Sequence, residues 1–233
     1  MSGFYVPFLP EQGTVALEGE EFHHAIRTLR HRVGDSVWLT DGKGHLAEGV
    51  IQKVGKSQAE VEIRQCLHRP GEPPVPIAVL MSPLKQLPRI EWLVEKAVEL
   101  GATAVYFLCM ERTVRPTVPL ERLRRIAIAA LKQNLRSVLP DLVALPTWEA
   151  FPWERFTVKC MGEIGATRSL REALSATPQP FVWVIGPEGD FAPEELSYLK
   201  QKECTGVHLG NLRLRAETAA IVGLSALKVA WGY

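Results

Sequence analysis

Two glycine-rich stretches near the end of the 233-residue chain combine residue types that chemistry uses. One is Val184-Ile185-Gly186-Pro187-Glu188-Gly189-Asp190-Phe191. The other is His208-Leu209-Gly210-Asn211-Leu212-Arg213-Leu214-Arg215-Ala216-Glu217-Thr218-Ala219. Each follows or overlaps the end of a segment that reads as a strand, Phe181–Ile185 and Val207–Leu209. Glycine there lets backbone approach a ligand closely and offers N–H and C=O groups for bonding. In an α/β sheet, ligands bind beyond the carboxyl ends of the strands. Either stretch alone is equally a tight turn. Neither is G-x-G-x-x-G or G-x-x-x-x-G-K-[ST], so the usual dinucleotide and P-loop fingerprints are missing.

Positive charge is concentrated elsewhere. From Glu111 to Arg136 seven basic residues (Arg112, Arg115, Arg122, Arg124, Arg125, Lys132, Arg136) stand against two acidic ones (Glu111, Glu121), although the whole chain carries a net charge of only +1. The excess suggests an anionic partner, with a solvated helix face as the plain alternative. On a helix starting near Leu120, Arg122, Arg125, Lys132 and Arg136 line one face, while Leu123, Ala127 and Ala130 turn to the core. On a short helix from about Glu20 to Arg30, His23, Arg27 and Arg30 lie opposite Phe22, Ile26 and Leu29. Stripes of this kind can bind the phosphates of an anionic partner. His24, beside an apolar face, reads as a satisfied structural group.

The elements that must position these residues fall into two textures. Residues 1–70 are short β-rich stretches, Ser36–Thr40, Leu46–Val54 and Gln58–Leu67. Asp41-Gly42 between two alternating runs is a hairpin signal. A compact β-barrel-like module is expected there. The proline-rich residues 71–76 read as a semi-rigid linker. Residues 77–233 alternate strands with helices, the strands opening just before the boundary: Val75–Met81, Thr103–Met110, Leu142–Leu145, Phe156–Met161, Phe181–Ile185 and Val207–Leu209, with helices at Arg89–Leu100, Leu120–Val138, Arg168–Ala176, Pro193–Lys202 and Glu217–Trp231. That alternation predicts a mostly parallel sheet covered by helices.

Composition excludes several classes. With 46% hydrophobic and 23% charged residues, the chain can bury a core and is not disordered. Its longest apolar runs fall far short of the roughly 20 residues that span a bilayer, so no membrane partner is expected. No basic segment leading into an apolar stretch opens the sequence, and no secretory signal is expected. Four widely spaced cysteines with no C-x-x-C pair argue against a disulfide framework or structural zinc, and for a reducing cytoplasm.

The paired motifs Ile185-Gly-Pro-Glu-Gly189 and Leu209-Gly-x-x-x-Leu-Arg-x-Glu-Thr-Ala219 resemble the SPOUT class of methyltransferases. Within it they resemble the bacterial RsmE type, which methylates N3 of a uridine in the 16S ribosomal RNA of the small subunit. His24-x-x-Arg27-x-Leu29-Arg30, Gly34-Asp35 and Asp41-Gly42 resemble that family's PUA-like RNA-binding domain. Arg89 with Glu91, the run Glu95–Gly101, Glu111-Arg112, and Gln133-x-x-Arg136-x-x-x-Pro140 resemble its catalytic domain. The likeness spans nearly the whole chain. The family commonly has glycine where this chain has Asp190, and glutamate where it has Lys132.

The resemblance implies an α/β SPOUT domain with a C-terminal trefoil knot, preceded by a PUA-like barrel, in a homodimer. It implies S-adenosylmethionine as cofactor, without metal, and 16S ribosomal RNA, within the small subunit, as partner. Cofactor contacts would come from Met161, Ile185, Gly186, Glu188, Gly189, Leu209, Gly210, Leu212, Leu214 and Arg215. RNA contacts would come from His24, Arg27, Arg30, Arg89, Arg112, Arg122, Arg125, Lys132, Gln133 and Arg136. Arg215 would stabilise the developing pyrimidine anion. Glu217 is the nearest candidate base, although it equally suits capping the last helix or bracing Arg215. The rival functions are methylation of another RNA nucleotide and a non-catalytic RNA-binding assembly factor. A nucleotide-dependent oxidoreductase is disfavoured by the missing glycine fingerprint.

Overall fold

A computed structural model of the chain describes residues 3–233. The chain divides into two compact units, one of residues up to Glu72 together with Ile128–Leu139, the other of Pro73–Ala127 and Pro140–Tyr233.

The first unit contains β1 (Gly3–Tyr5), β2 (Thr14–Glu18), α1 (Gly19–Phe22), β3 (Ser36–Thr40), β4 (His45–Val54) and β5 (Gln58–His68). They form a sheet of order β1-β3-β4-β5-β2, antiparallel except where β1 runs parallel to β3. The expected hairpin joins β3 to β4. Gly42 takes φ +69, and the Asp41 carboxylate accepts the Lys43 N–H at 2.7 Å. Register shifts in β4 at Glu48/Gly49 and Ile51/Lys53 bend the strand, and the sheet closes on Phe4, Leu17, Phe22, Leu39, Ile51 and Val61.

The short amphipathic helix differs from expectation. Its α-helical part is α1 alone, and His23–Thr28 is wound as a π-helix. Phe22 is buried as predicted, but Leu29 is 43% exposed, and Arg30 lies beyond the helix at φ +60. The wider winding breaks the three-and-four spacing expected to align His23, Arg27 and Arg30. His24 packs edge-on against the Phe4 ring at 5.8 Å between centroids, as its structural reading anticipates.

The second unit carries β6 (Ile77–Met81), α2 (Leu87–Glu99), β7 (Ala104–Leu108), α3 (Leu120–Asn134, entering the first unit at Ile128), β8 (Asp141–Leu145), β9 (Val158–Gly162), α4 (Leu170–Ala173), β10 (Phe181–Ile185), α5 (Pro193–Gln201), β11 (Thr205–Val207) and α6 (Ala216–Trp231). Its six strands are all parallel, in the order β11-β9-β10-β6-β7-β8. Every residue of β6, β7 and β10 is buried, as apolar runs covered on both faces must be. α2 and α6 pack together, and α6 also covers β10. There the Trp183 indole donates to the Ala219 carbonyl at 3.1 Å, and Gly223 faces the same ring. Among the described residues no helix is long and apolar enough to cross a membrane.

α3 stops at Asn134, short of the expected Val138, because Leu135 turns to φ +53. The following residues are taken up by Glu72, in the stretch read as a linker. One Glu72 oxygen accepts the Ser137 N–H at 2.9 Å, the Val138 N–H at 3.0 Å and the Ser137 hydroxyl at 3.2 Å; the other accepts the Arg136 guanidinium at 2.5 Å.

Candidate active site

Strand order reverses at β6. From there the chain steps outward through β7 and β8, while β10, β9 and β11 occupy the other side. A parallel sheet opens a crevice beyond its carboxyl ends at such a reversal. Met81, Ile185, Gly162 and Val207 end neighbouring strands at this edge, so both glycine stretches leave from the same place. The first turn of α2 begins there as well.

Arg89, in that first turn, ties the two stretches together. Its Nη1 donates to Glu188 of the first stretch at 2.6 Å. Its Nε donates to one Glu217 oxygen at 2.7 Å and its Nη2 to the other, at the start of α6. Glu188 also accepts the Lys85 N–H at 3.3 Å. The Glu217 side chain is 7% exposed. Burial pushes its carboxyl up, but the Arg89 bonds more than reverse this and hold it below the usual carboxylate range. Arg89 is pushed upward, chiefly by its bonds to Glu217. Both partners are therefore ionised at neutral pH.

A second brace holds the first loop from the β7 side. The Arg112 guanidinium donates to the Gly189 and Phe191 carbonyls at 2.8 and 3.3 Å. Buried Glu195 caps α5, accepting the Ala192 N–H at 2.8 Å, and accepts the Glu111 N–H at 2.9 Å. Asp190 stands in the left-handed region at φ +68, its carboxylate accepting the Phe191 N–H at 2.8 Å and its own N–H reaching the Pro187 carbonyl at 2.9 Å. Aspartate is one of the few residues that fills this conformation readily, which explains how the loop dispenses with a second glycine there.

The second loop is open. Gly210 takes φ +117, and an added Cβ would meet nothing within 4 Å. Leu212 is 84% exposed and Leu214 37%. Among the described residues, the backbone N–H groups of Asn211 to Arg215 and the guanidinium groups of Arg213 and Arg215 have no bonded protein acceptor. Apolar side chains, free backbone donors and two unpaired cations thus share a single segment.

The structure brings Ile185, Gly186, Glu188 and Gly189 to one strand edge with Leu209, Gly210, Leu212, Leu214 and Arg215. It departs from expectation at several positions. Met161 is fully buried in the sheet core and presents no side-chain surface. Glu217 braces Arg89 rather than Arg215, and both its oxygens are occupied. Arg89 and Arg112, expected on RNA, are engaged by the loops they brace. Arg136 is buried, off the helix, its side chain 9% exposed and paired with Glu72. Lys132 pairs with Glu21 at 2.7 Å and Arg122 with Glu91 at 2.5 Å. Of the four-residue stripe on α3 only Arg125 is exposed without an acidic partner among the described residues, while Leu123, Ala127 and Ala130 are buried as expected. Gln133 and Arg27 are exposed. Sequence reasoning misses Arg112, Glu195 and Glu72 as braces. Only Glu195 leaves a signal, as an acidic residue in the first turn of a helix that opens on Pro193; with Ala192 at the N-cap, the Glu195 carboxylate alone caps the helix start.

Comparison with known proteins accords with this geometry. A family model described as an RNA methyltransferase domain matches residues 71–228, and one described as an RNA methyltransferase PUA domain matches residues 17–64. The ribosomal RNA small subunit methyltransferase E of Mycobacterium bovis is 32% identical over 240 residues, covering 97% of this chain and 90% of that protein. A crystal structure of a probable rRNA-methyltransferase from Porphyromonas gingivalis superposes with a TM-score of 0.87 at 29% identity, covering 100% of this chain and 99% of the other. That of the Neisseria gonorrhoeae ribosomal RNA small subunit methyltransferase E, bound to S-adenosyl methionine, gives 0.85 at 29% identity over 99% and 98%. A parallel α/β sheet of the SPOUT class, a PUA-like domain and near-complete coverage by both relatives and structures agree: the chain belongs to the RsmE family of RNA methyltransferases.

Proposed function

We propose that this protein transfers a methyl group from S-adenosylmethionine to N3 of a uridine in 16S ribosomal RNA. The observation that carries this reading is the open loop Gly210–Arg215 at the strand edge, with the unpaired Arg215 at its end. The loop fits the cofactor: two exposed leucines can cover a purine ring, and the free backbone groups suit its polar edge. The bare space at Gly210 admits a ring against the backbone. When bound, S-adenosylmethionine supplies an already activated methyl group.

What this chain must add is orientation and charge. The braced loops fix where the methyl donor sits, so that the base is held in line with it. N3 loses its proton to hydroxide from solvent, and negative charge spreads onto O2 and O4 of the ring; Arg215 supplies a cation for that charge. Glu217 is committed to Arg89 and does not take the proton. Exposed Arg27, Arg124 and Arg125 offer phosphate contacts. Val222 and Val229 leave apolar surface on α6, at 37% and 85% exposure, which supports a homodimer.

The test incubates the purified protein with S-adenosylmethionine and 16S RNA or small subunits from cells lacking the gene, and maps the product by mass spectrometry. N3-methyluridine at one position is expected. A methyl on another base atom overturns the N3 assignment, and cofactor binding without transfer favours an assembly factor. Under single-turnover conditions Arg215→Ala is expected to slow transfer by roughly 100-fold while RNA and cofactor still bind.

A further inference from the structure

We infer that Arg89 is a positioning residue of the cofactor site, a two-armed clamp that locks the Glu188 loop to the start of α6. The inference rests on the cofactor reading above and goes beyond it, because one side chain outside both glycine loops joins the first loop to the second stretch.

The position of Arg89 argues for this. A cation in the first turn of a helix opposes the macrodipole, and α2 has no acidic residue there to offset it. A locally unfavourable choice of this kind is expected where function requires it. The guanidinium suits the role, because its planar fork meets Glu217 with two nitrogens and still directs a third at Glu188. Those partners lie 99 residues (Glu188) and 128 residues (Glu217) further along the chain. The side chain is 18% exposed and its charge is already met by two carboxylates, which leaves it little to offer a phosphate.

Without the clamp the loops must be ordered by the ligand itself, and the affinity falls by the fraction of time they are apart. Arg89→Ala is expected to lower affinity for S-adenosylhomocysteine, measured by isothermal titration, by about tenfold or more, the scale of a charge-assisted bond of about 1.5 kcal/mol or above. Arg89→Lys recovers part of it, since an ammonium reaches one carboxylate but cannot span both. In methylation assays the defect falls on the KM for cofactor much more than on kcat. RNA affinity stays within about twofold, on the reasoning that phosphate contacts set it.

Glu188→Gln serves as the variant least able to disturb folding, since that side chain is the more exposed end of the clamp. In the unaltered background it should weaken S-adenosylhomocysteine binding. In the Arg89→Ala background it should do nothing further, because its partner has gone. If Glu188→Gln costs the same in both backgrounds, Glu188 acts directly on the ligand and the clamp is overturned. It is equally overturned if the Arg89 variants lose RNA affinity and keep cofactor affinity. Failure of the unaltered chain to bind S-adenosylhomocysteine sinks the cofactor reading and the clamp with it, whereas normal binding with insensitive Arg89 variants sinks the clamp alone.

Discussion

Replacing Glu72 by glutamine removes one charge and almost no volume, and its consequence can be worked out atom by atom. In the native carboxylate one oxygen serves Ser137 and Val138 and, at 3.3 Å, the Arg136 Nε, the other serves Arg136 alone, and the side chain is 1% exposed. Glutamine keeps the first oxygen and its donors but turns an NH2 group toward a guanidinium that can only donate. Arg136 is then a buried cation without its carboxylate. Breaking a buried pair from one side costs about 3–5 kcal/mol, and at about 2–4 °C per kcal/mol for a chain of this size the melting temperature should fall by roughly 6–20 °C. Burial pushes the Glu72 carboxyl up, but Arg136 and the two backbone N–H groups reverse this and hold it below the usual range. A group whose folded pKa is depressed stabilises above its unfolded pKa, near 4.5, and loses that contribution as pH falls through the folded value. Calorimetry at pH 7 and below pH 4 should therefore show a large gap between the two proteins that narrows on the acid side. A gap below about 1 kcal/mol at pH 7, or one indifferent to pH, refutes the buried-pair account. Arg136→Ala should likewise destabilise while leaving the salt dependence of RNA binding unchanged; a slope shallower by about one would return Arg136 to the phosphate contacts.

Three further outcomes follow from local geometry. Gly223→Ala places a Cβ 2.3 Å from the Trp183 indole nitrogen in a packed core, so urea denaturation should show a loss of about 1–3 kcal/mol instead of the gain a glycine-to-alanine change brings in an open helix. At Asp190, glycine loses the Phe191 bond but is at ease at positive φ and should be within about 0.5 kcal/mol of the natural residue, whereas alanine loses the same bond and is strained there, costing about 1–2 kcal/mol by thermal melt. Gly210→Val should abolish S-adenosylhomocysteine binding in titration and cost about 1–3 kcal/mol in stability, since φ +117 suits only glycine; unchanged affinity would move the pocket elsewhere.

The residues legible in the sequence are those whose signals are local. Phe181–Ile185 reads at its observed bounds because a fully apolar run between proline and glycine is a buried strand whatever surrounds it. The turn at Asp41-Gly42 is legible for the same reason, and so is the pair of glycine loops. The π-helical winding of His23–Thr28 is not, because the packing of Phe22 and of His24 on Phe4 selects it against local spacing. The basic stripe on α3 misleads for a related reason. Charge can be counted in a sequence, but Glu21, Glu72 and Glu91, which neutralise Lys132, Arg136 and Arg122, are brought up by tertiary structure from 111, 64 and 31 positions away, the last counted along the chain. Arg89 is recognisable as part of a motif, yet its partners can be named only once the two loops are seen at one strand edge.

The first unit is discontinuous, and this fixes an order of events during synthesis. Residues up to Glu72 emerge from the exit tunnel without the segment that completes them, since Ile128–Leu139 follows only after Pro73–Ala127 has been made. Until then the turn at residues 42–44 lacks the backbone bonds it shares with Ser137 and Leu139, and the Glu72 carboxylate waits for its cation. A nascent chain truncated at residue 72 is thus an incomplete module, and a gene fragment meant to yield the N-terminal domain for separate use should carry residues 128–139 grafted after it. Such a graft would convert a late-arriving strap into a local one and let the module close as soon as it is made.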